Sequence, residues 1–443
     1  MNIEKVFNTN KFFIIGIGGS GMSSIAKYLI ESGAKVFGYD QRKSSITNQL
    51  LKIGIKVTHD VNFDIPNESL VITSSAIQKE NNLVQKSNEN GLTIIYRPEF
   101  LSKLTSLYKT IGIAGTHGKT TTTALLSHIY QYSNLNHSYI YGGMTSYSGI
   151  GGHFGDTNTL VIEADEAFKT FMNFELDNCI LTNIDDDHID HYGSFQEMAD
   201  IFKNVVVSTK SNPILNIDDP TILDISSDID SITYGEDSTA DYRYLGNNVA
   251  ICNGVHVNFE TKIPGKHFKL NALGAIANAN LNGINLDIAV DAVNNFNGVK
   301  RRLELVGISR NITVYDDYGH HPTEMDSTIN ALKTITQGRL YVIFQPHRYT
   351  RTEQLFERFI STLTNADYSI IMDIYSAGES PIPGISTKVL LNQEGKDNIK
   401  YIDSSQKVLE HLSNILQEGD TVLTLGAGDV TLIAPKILEM LND

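Results

Sequence analysis

The chain has 443 residues, 41% of them hydrophobic and 19% charged, with a net charge of −16. That describes a folded globular protein too long for one core, and it excludes a basic duplex-binding surface. No apolar run reaches the roughly 18 residues of a bilayer span, the first residues lack the apolar core of a secretory leader, and two cysteines, Cys179 and Cys252, provide neither a disulfide framework nor a metal cluster. The expectation is a cytoplasmic protein with no membrane and no nucleic-acid partner, whose clustered cations, Lys300-Arg301-Arg302 and Arg348 with Arg351, serve a local anion.

The first predicted strand and helix lie in KFFIIGIGGSGMSSIAKYLI, residues 11–30. Gly16, Gly18 and Gly21 form a G-x-G-x-x-G turn between them, and Asp40 closes the second strand, KVFGYD. Backbone amides and a helix N-terminus can hold a diphosphate there, and a carboxylate can take ribose hydroxyls. The spacing leaves NAD, FAD and other diphosphate ligands open, as well as a turn that binds nothing.

The second α/β series opens on GIAGTHGKTTTTALL, residues 112–126. Gly115, Gly118, Lys119 and Thr120 keep the phosphate-gripping parts of a P-loop, but Ile113 stands where the usual pattern has its first glycine. A P-loop also needs a carboxylate for its metal. Two acidic stretches follow predicted strands: TLVIEADE, with Glu163, Asp165 and Glu166, and TNIDDDHIDHYG, with Asp185, Asp186, Asp187, His188, Asp190 and His191. Oxygen donors at successive strand ends favour Mg²⁺ over a merely solvated acidic turn. Residues 212–262 are polar with alternating patches and predict antiparallel strands attached to this middle series.

The third series starts at NITVYDDYGHHPTEM and continues through LYVIFQ, IIMDIY and TVLTLGAGD. Apolar runs alternating with helical patterns predict α/β units with parallel sheets. With no Pro- or Ser-rich linker to mark the joins, the boundaries are set where each series restarts: 1–107, 108–307 and 308–443.

Several motifs in order resemble one family across almost the whole chain: GIGGSGM (16–22), SSAI (74–77), GTHGKTTTTA (115–124), EADE (163–166), TNIDDDHID (182–190), NALGAIANA (271–279), DDYGHHPTE (316–324), QPHRYTRT (345–352) and LGAGD (425–429). The chain is similar to the Mur ligases, the ATP-dependent amide-forming enzymes of peptidoglycan synthesis. Their loop, G-T-[HN]-G-K-[ST], accounts for Ile113. The DDYGHHPTE and PHRYTRT motifs point to the alanine-adding branch rather than the tripeptide-recycling one. An NAD-dependent oxidoreductase, the other alternative, leaves Lys119 and the acidic stretches unused.

The resemblance implies an N-terminal Rossmann-like UDP-binding domain, a central P-loop ATPase-like α/β domain and a C-terminal Rossmann-like domain. It implies that L-alanine is joined to the lactyl carboxylate of UDP-N-acetylmuramate through an acyl phosphate, with ATP and two Mg²⁺ ions (Mn²⁺ as a substitute), by a monomer or dimer. Gly18, Gly19, Ser20, Gly21, Met22, Asp40, Ser75 and Arg97 then hold the UDP-sugar. Gly115, Thr116, His117, Gly118, Lys119, Thr120 and Thr121 hold the ATP phosphates. Thr120, Glu163 and His188 hold the metals, and Asn183, Asn271, Arg302 and Asp317 contact the nucleotide, Asp317 at its ribose. Tyr318, His320, His347, Arg348 and Arg351 close over the reaction centre, with Arg351 taking the alanine carboxylate. The domains would have to close on their substrates.

Three departures from the family pattern bear on this. Phe268 replaces the Asn of G-x-H-N, where ring stacking on adenine is the expected substitute. DEAFKTF (165–171) replaces DESDxSF, and Leu303 replaces a common Phe. Lys203 lies where other Mur ligases carry a carbamylated lysine, but an ordinary surface lysine is expected here.

Overall fold

The computed structural model describes residues 3–75, 77–165, 171–186, 192–394 and 396–442. Two compact units emerge, one of Met1–Thr261 with Lys269–Asn297, the other of Lys262–Phe268 with Gly298–Asp443.

The first unit holds two sheets. β1 (Lys11–Ile15), β2 (Lys35–Tyr39), β3 (Lys56–Thr58), β4 (Leu70–Thr73) and β5 (Ile94–Tyr96) are all parallel, in the order β3-β2-β1-β4-β5. Strand order reverses beside β1, which opens a crevice at the C-terminal ends of β1 and β4. Phe12 and Phe13 are fully buried on opposite faces of β1 and fill separate clusters. Burial of that kind contributes about 1.5–3 kcal/mol per side chain. α1 (Ser20–Glu31) leaves the turn after β1, and α2 (Arg97–Thr105) follows β5.

The second sheet has ten strands, ordered β15-β14-β13-β12-β11-β10-β6-β9-β7-β8. Its centre is β6 (Lys109–Ala114), flanked in parallel by β9 (Thr159–Glu163) and β10 (Asn178–Leu181). β7 (Ser138–Thr145) and β8 (Gly149–His153) form an antiparallel hairpin at one edge. α3 (Lys119–Tyr132) starts at the turn after β6, and α4 (Phe195–Val207) precedes β11. The polar stretch differs from its sequence reading. β11 (Ile214–Asn216), β12 (Ile232–Gly235) and β13 (Tyr242–Gly246) continue the sheet in parallel, and only β13, β14 (Val249–Cys252) and β15 (Val255–Asn258) are antiparallel. Strands of three to five residues are too short for alternation to reveal their direction.

α1 docks on the β7–β8 hairpin through one polar stripe. Ser24 Oγ donates to Tyr141 O at 2.7 Å, Lys27 Nζ to Gly152 O, and Glu31 accepts from Phe154 N at 3.0 Å and bonds His153 Nδ1 at 2.7 Å. A Cβ on Gly152 would lie 2.0 Å from Ser24 O, so only glycine permits this approach.

In the second unit, β17 (Ile312–Asp317), β18 (Leu340–Phe344), β19 (Tyr368–Ile371), β20 (Ile399–Tyr401) and β21 (Thr421–Leu425) form a parallel sheet in the order β17-β21-β18-β19-β20. β16 (Glu304–Ser309) adds antiparallel at its edge and runs across the 307/308 boundary drawn from sequence. α5 (Lys266–Leu281) passes from one unit to the other, while α6 (Pro322–Lys333) and α7 (Tyr349–Leu363) belong to the second.

Candidate functional site

The first glycine turn is tied to Asp40. Gly18 N donates to Asp40 Oδ2 at 2.8 Å, and Arg42 N donates to Oδ1 at 3.0 Å. The carboxylate expected to meet a ribose thus braces the turn that precedes it. The first-turn amides of α1, those of Ser20, Gly21 and Met22, are the ones a helix leaves without an internal acceptor. Met22 offers only this amide, because its side chain lies in the core. Ser75 follows β4 at the same sheet end. Arg97 approaches so closely that a Cβ on Gly21 would sit 2.9 Å from its guanidinium carbon. The same guanidinium pairs with Asp165, Nη1 to Oδ2 3.2 Å. The sequence named both residues but carried no signal of the pair, which joins α2 to the end of β9.

The second glycine turn is held by the residues after β10. Thr116 N donates to Asn183 O at 2.9 Å and His117 N to Asn183 Oδ1 at 2.8 Å, while Asn183 Nδ2 returns a bond to His117 O at 3.0 Å. His117 Nε2 meets Asp185 Oδ2 at 2.9 Å. Gly115, at φ 129°, packs so tightly that a Cβ would lie 2.1 Å from Thr182 Oγ1. Gly118 caps α3 in the left-handed region, with Asn271 of α5 against it. Lys119 Nζ donates to Gly115 O at 2.7 Å and Thr116 O at 2.8 Å, so it arches over the loop. The amides of Lys119, Thr120 and Thr121 begin α3, where a phosphate finds both donors and the positive end of the helix dipole.

β9 delivers Glu163 beside that turn, with Thr120 Oγ1 donating to Glu163 Oε1 at 2.6 Å. Gly142 N of β7 donates to Glu163 Oε2, and the Cβ position of Gly142 lies 3.5 Å from Ser20 Oγ of the first turn. Reading by sequence missed Gly142, since its part depends on β7 lying beside β9. A hydroxyl and a carboxylate are hard oxygen donors of the kind Mg²⁺ takes, so this pair fits that ion. His188, Glu166, Asp187, Asp190, His191 and residues 167–170 lie outside the described residues. Lys203 of α4 is a surface lysine, paired with Asp228 at 2.9 Å.

In the second unit, Arg301 and Leu303 both adopt positive φ, 60° and 49°, on either side of Arg302. Such conformations cost about 1–3 kcal/mol each and persist only when their surroundings impose them. Asp317 is one such constraint: Oδ2 accepts Leu303 N at 2.6 Å and Oδ1 accepts Gly319 N at 2.7 Å. Both oxygens accept backbone amides, so Asp317 shapes this turn. Its burial outweighs Arg302 and the amide bonds, pushing its carboxyl up to about 6. Arg301 Nη2 donates to Gly426 O at 2.7 Å and Gly428 O at 3.1 Å. The Arg301 and Arg302 guanidinium carbons lie 4.9 and 5.0 Å from the Tyr318 ring centroid.

His320 lies near Tyr318 and His347, ring centroids 5.5 and 6.0 Å apart. Burial first, then His320, Arg351 and Arg348, lower the His347 pKa to about 4. Arg348 is the N-cap of α7 at φ 72°. Arg351 follows within the first turn. Phe268 is buried to 2% exposure. Tyr375 and Glu379, which brace the Arg348 turn, had no local sequence signal.

Family profiles match the chain in three stretches: the Mur ligase family catalytic domain over residues 11–109, the Mur ligase middle domain over 113–279, and the Mur ligase glutamate ligase domain over 301–428. The UDP-N-acetylmuramate–L-alanine ligase of Desulforamulus reducens is 35% identical, with 98% of each chain covered. That of Geotalea daltonii is 36% identical, again over 98% of each. The crystal structure of the UDP-N-acetylmuramate–alanine ligase of Thermotoga maritima superimposes with a TM-score of 0.83 at 25% identity, covering 98% of this chain and 99% of that one.

Proposed function

The chain belongs to the Mur ligase family, and from that membership we propose that it joins L-alanine to the lactyl carboxylate of UDP-N-acetylmuramate, using ATP, in peptidoglycan synthesis. The observation that carries the reading is the join between the glycine turns. Arg97 lies against Gly21 and pairs with Asp165, while Gly142, beside Ser20, binds Glu163. ATP on the second turn would then reach Glu163 through Thr120, while Gly142, beside the first turn, binds the other oxygen of the same carboxylate. An NAD-linked oxidoreductase would leave Lys119, Thr120 and Glu163 without a task.

A carboxylate is a poor electrophile, and a phosphoryl group on its oxygen supplies a leaving group. In this reading Lys119 leaves its carbonyl partners for the ATP phosphates, which the amides from Gly115 to Thr121 also hold, and Arg302 adds a further cation. Asn183 and Asn271 keep the loop shaped around the nucleotide. Thr120 and Glu163 would hold one Mg²⁺, with Glu163 and His188 as the candidates for a second and Mn²⁺ as a substitute. Bound there, the metal neutralises charge on the transferring phosphate.

Arg351, a planar fork, takes the alanine carboxylate. His347 is held neutral by burial, beside Arg351 and Arg348, and the protons released as the amine becomes an amide pass to solvent. The amine nitrogen then bonds to the acyl carbon, the carbon–oxygen bond to phosphate breaks, and the amide is left. Tyr318, His320 and Arg348 line the amino-acid side. In this reading three modules, drawn from sequence at 1–107, 108–307 and 308–443 with the last boundary falling inside β16, divide UDP-sugar, ATP and amino acid among them.

The substrates are charged nucleotides and a free amino acid, and no described helix is long and apolar enough to cross a membrane; we place the activity in the cytoplasm. The test is phosphate release with UDP-N-acetylmuramate, ATP and Mg²⁺ against L-alanine, L-serine and glycine. One small side chain separates these amino acids by only about 1–3 kcal/mol, so all three are included. No amino-acid-dependent release with any of them would refute the reading.

A further inference from the structure

Arginine cannot cap a helix, because its guanidinium has donors and no acceptor. Yet Arg348 is the N-cap of α7, at φ 72° and ψ 141° with no side-chain cap of its own. The missing acceptor comes from the segment after β19. Glu379 Oε2 accepts Thr350 N at 3.2 Å, and Glu379 Oε1 accepts Thr350 Oγ1 at 2.8 Å. The same segment grips the other side of the turn. Arg348 N donates to Tyr375 O and Tyr375 N to Pro346 O, each at 2.8 Å. The Tyr375 ring stacks on His347, centroids 5.6 Å apart and planes 13° from parallel. A tight turn delivers Glu379: its amide donates to Ser376 O at 2.9 Å, with Ala377 and Gly378 between them at φ 51° and 92°. Residues 346–350 are thus held on both flanks by 375–379.

We propose that Glu379 is a positioning residue for the amino-acid substrate. By capping α7 from outside, it holds the Arg348 turn in a conformation the turn does not favour, and so aims Arg348 and Arg351 at the substrate carboxylate. Tyr375 completes the clamp from the other flank. The inference rests on the reading of these arginines as the amino-acid clamp. It adds that their geometry is set by a carboxylate that itself touches no substrate.

Two half-reactions separate the inference from that reading. Without amino acid, ATP and UDP-N-acetylmuramate form an acyl phosphate that hydroxylamine traps as a hydroxamate. Glu379→Ala is expected to raise the KM for L-alanine about ten-fold, the size of a lost cap. Trapped hydroxamate and the KM values for ATP and UDP-sugar should stay within about two-fold of wild type. Glu379→Gln keeps a carbonyl acceptor and should recover most of the loss. Thr350→Val, which removes one donor and leaves Glu379 in place, should raise the same KM about three-fold and serves if the alanine variant fails to fold. An unchanged KM for L-alanine in Glu379→Ala or Thr350→Val overturns the inference, as does a rise shared equally by all three substrates. A wild-type enzyme that traps no hydroxamate overturns the parent reading and this inference with it.

Discussion

Both oxygens of Asp317 accept backbone amides inside the protein, and that position alters its proton affinity. Burial holds its folded pKa at about 6, above the roughly 3.9 of an unfolded aspartate. The protonated form is therefore favoured by folding: its stabilisation is full below about pH 4 and is lost as pH rises through about 6. Asp317→Asn removes the titration. Denaturant unfolding should show wild type losing on the order of 2–3 kcal/mol against the variant between pH 4 and 7; a constant difference would contradict the raised pKa. Lys119 offers the corresponding test of chemistry. Lys119→Ala should lower kcat/KM about 10²–10³-fold with the fold intact, measured by phosphate release and circular dichroism. Lys119 and Thr120 were legible in the sequence because a phosphate loop is local, and Glu163, 43 residues beyond Thr120, because an acidic stretch closes an apolar strand. The bracing of a turn by Asp317 was not, because its partners Leu303 and Gly319 belong to a turn whose path is set by the sheet.

α1 shows how an element can carry two tasks. Its N-terminus begins at the first glycine turn, and the stripe Ser24, Lys27 and Glu31 fastens its length to β7–β8. Burial alone would raise the Glu31 pKa, but the bonds from His153 and Lys27 outweigh it and hold the value at about 2. That stabilisation is present above the unfolded value of about 4.3 and disappears as pH falls through about 2. Glu31→Gln should cost on the order of 1–3 kcal/mol at pH 7, the lower end reflecting solvent screening of a partly exposed side chain, and little at pH 2, read as a shift in unfolding midpoint. Gly152→Ala should cost about 1–3 kcal/mol, since its methyl would meet Ser24 O. Elements opening on a glycine turn were readable from the apolar run and the turn alone. The short strands β11 to β13 were not, because their parallel direction comes from each pairing with the strand before it, starting at β10, and not from their own pattern.

At the scale of the whole molecule, the residues assigned to one reaction are divided between units. Lys119, Thr120, Glu163 and Arg97 belong to the first, and Arg302, His320, His347 and Arg351 to the second. Chemistry that draws on both requires the units to meet around substrate. Small-angle scattering should show the radius of gyration falling when an ATP analogue and UDP-N-acetylmuramate are both present, and a profile unchanged by the pair would count against that requirement.

Sequence alone determined the α/β class and the family: the class because apolar runs and glycine turns are local backbone patterns, the family because its motifs recur in order along the chain. Tertiary structure decided the rest: that Asp40 and Asp317 brace turns, that Arg97 meets Asp165, that Gly142 holds Glu163 and that Glu379 caps α7. Those contacts join strands and loops far apart in the chain, so side-chain type leaves them open until packing chooses the partner.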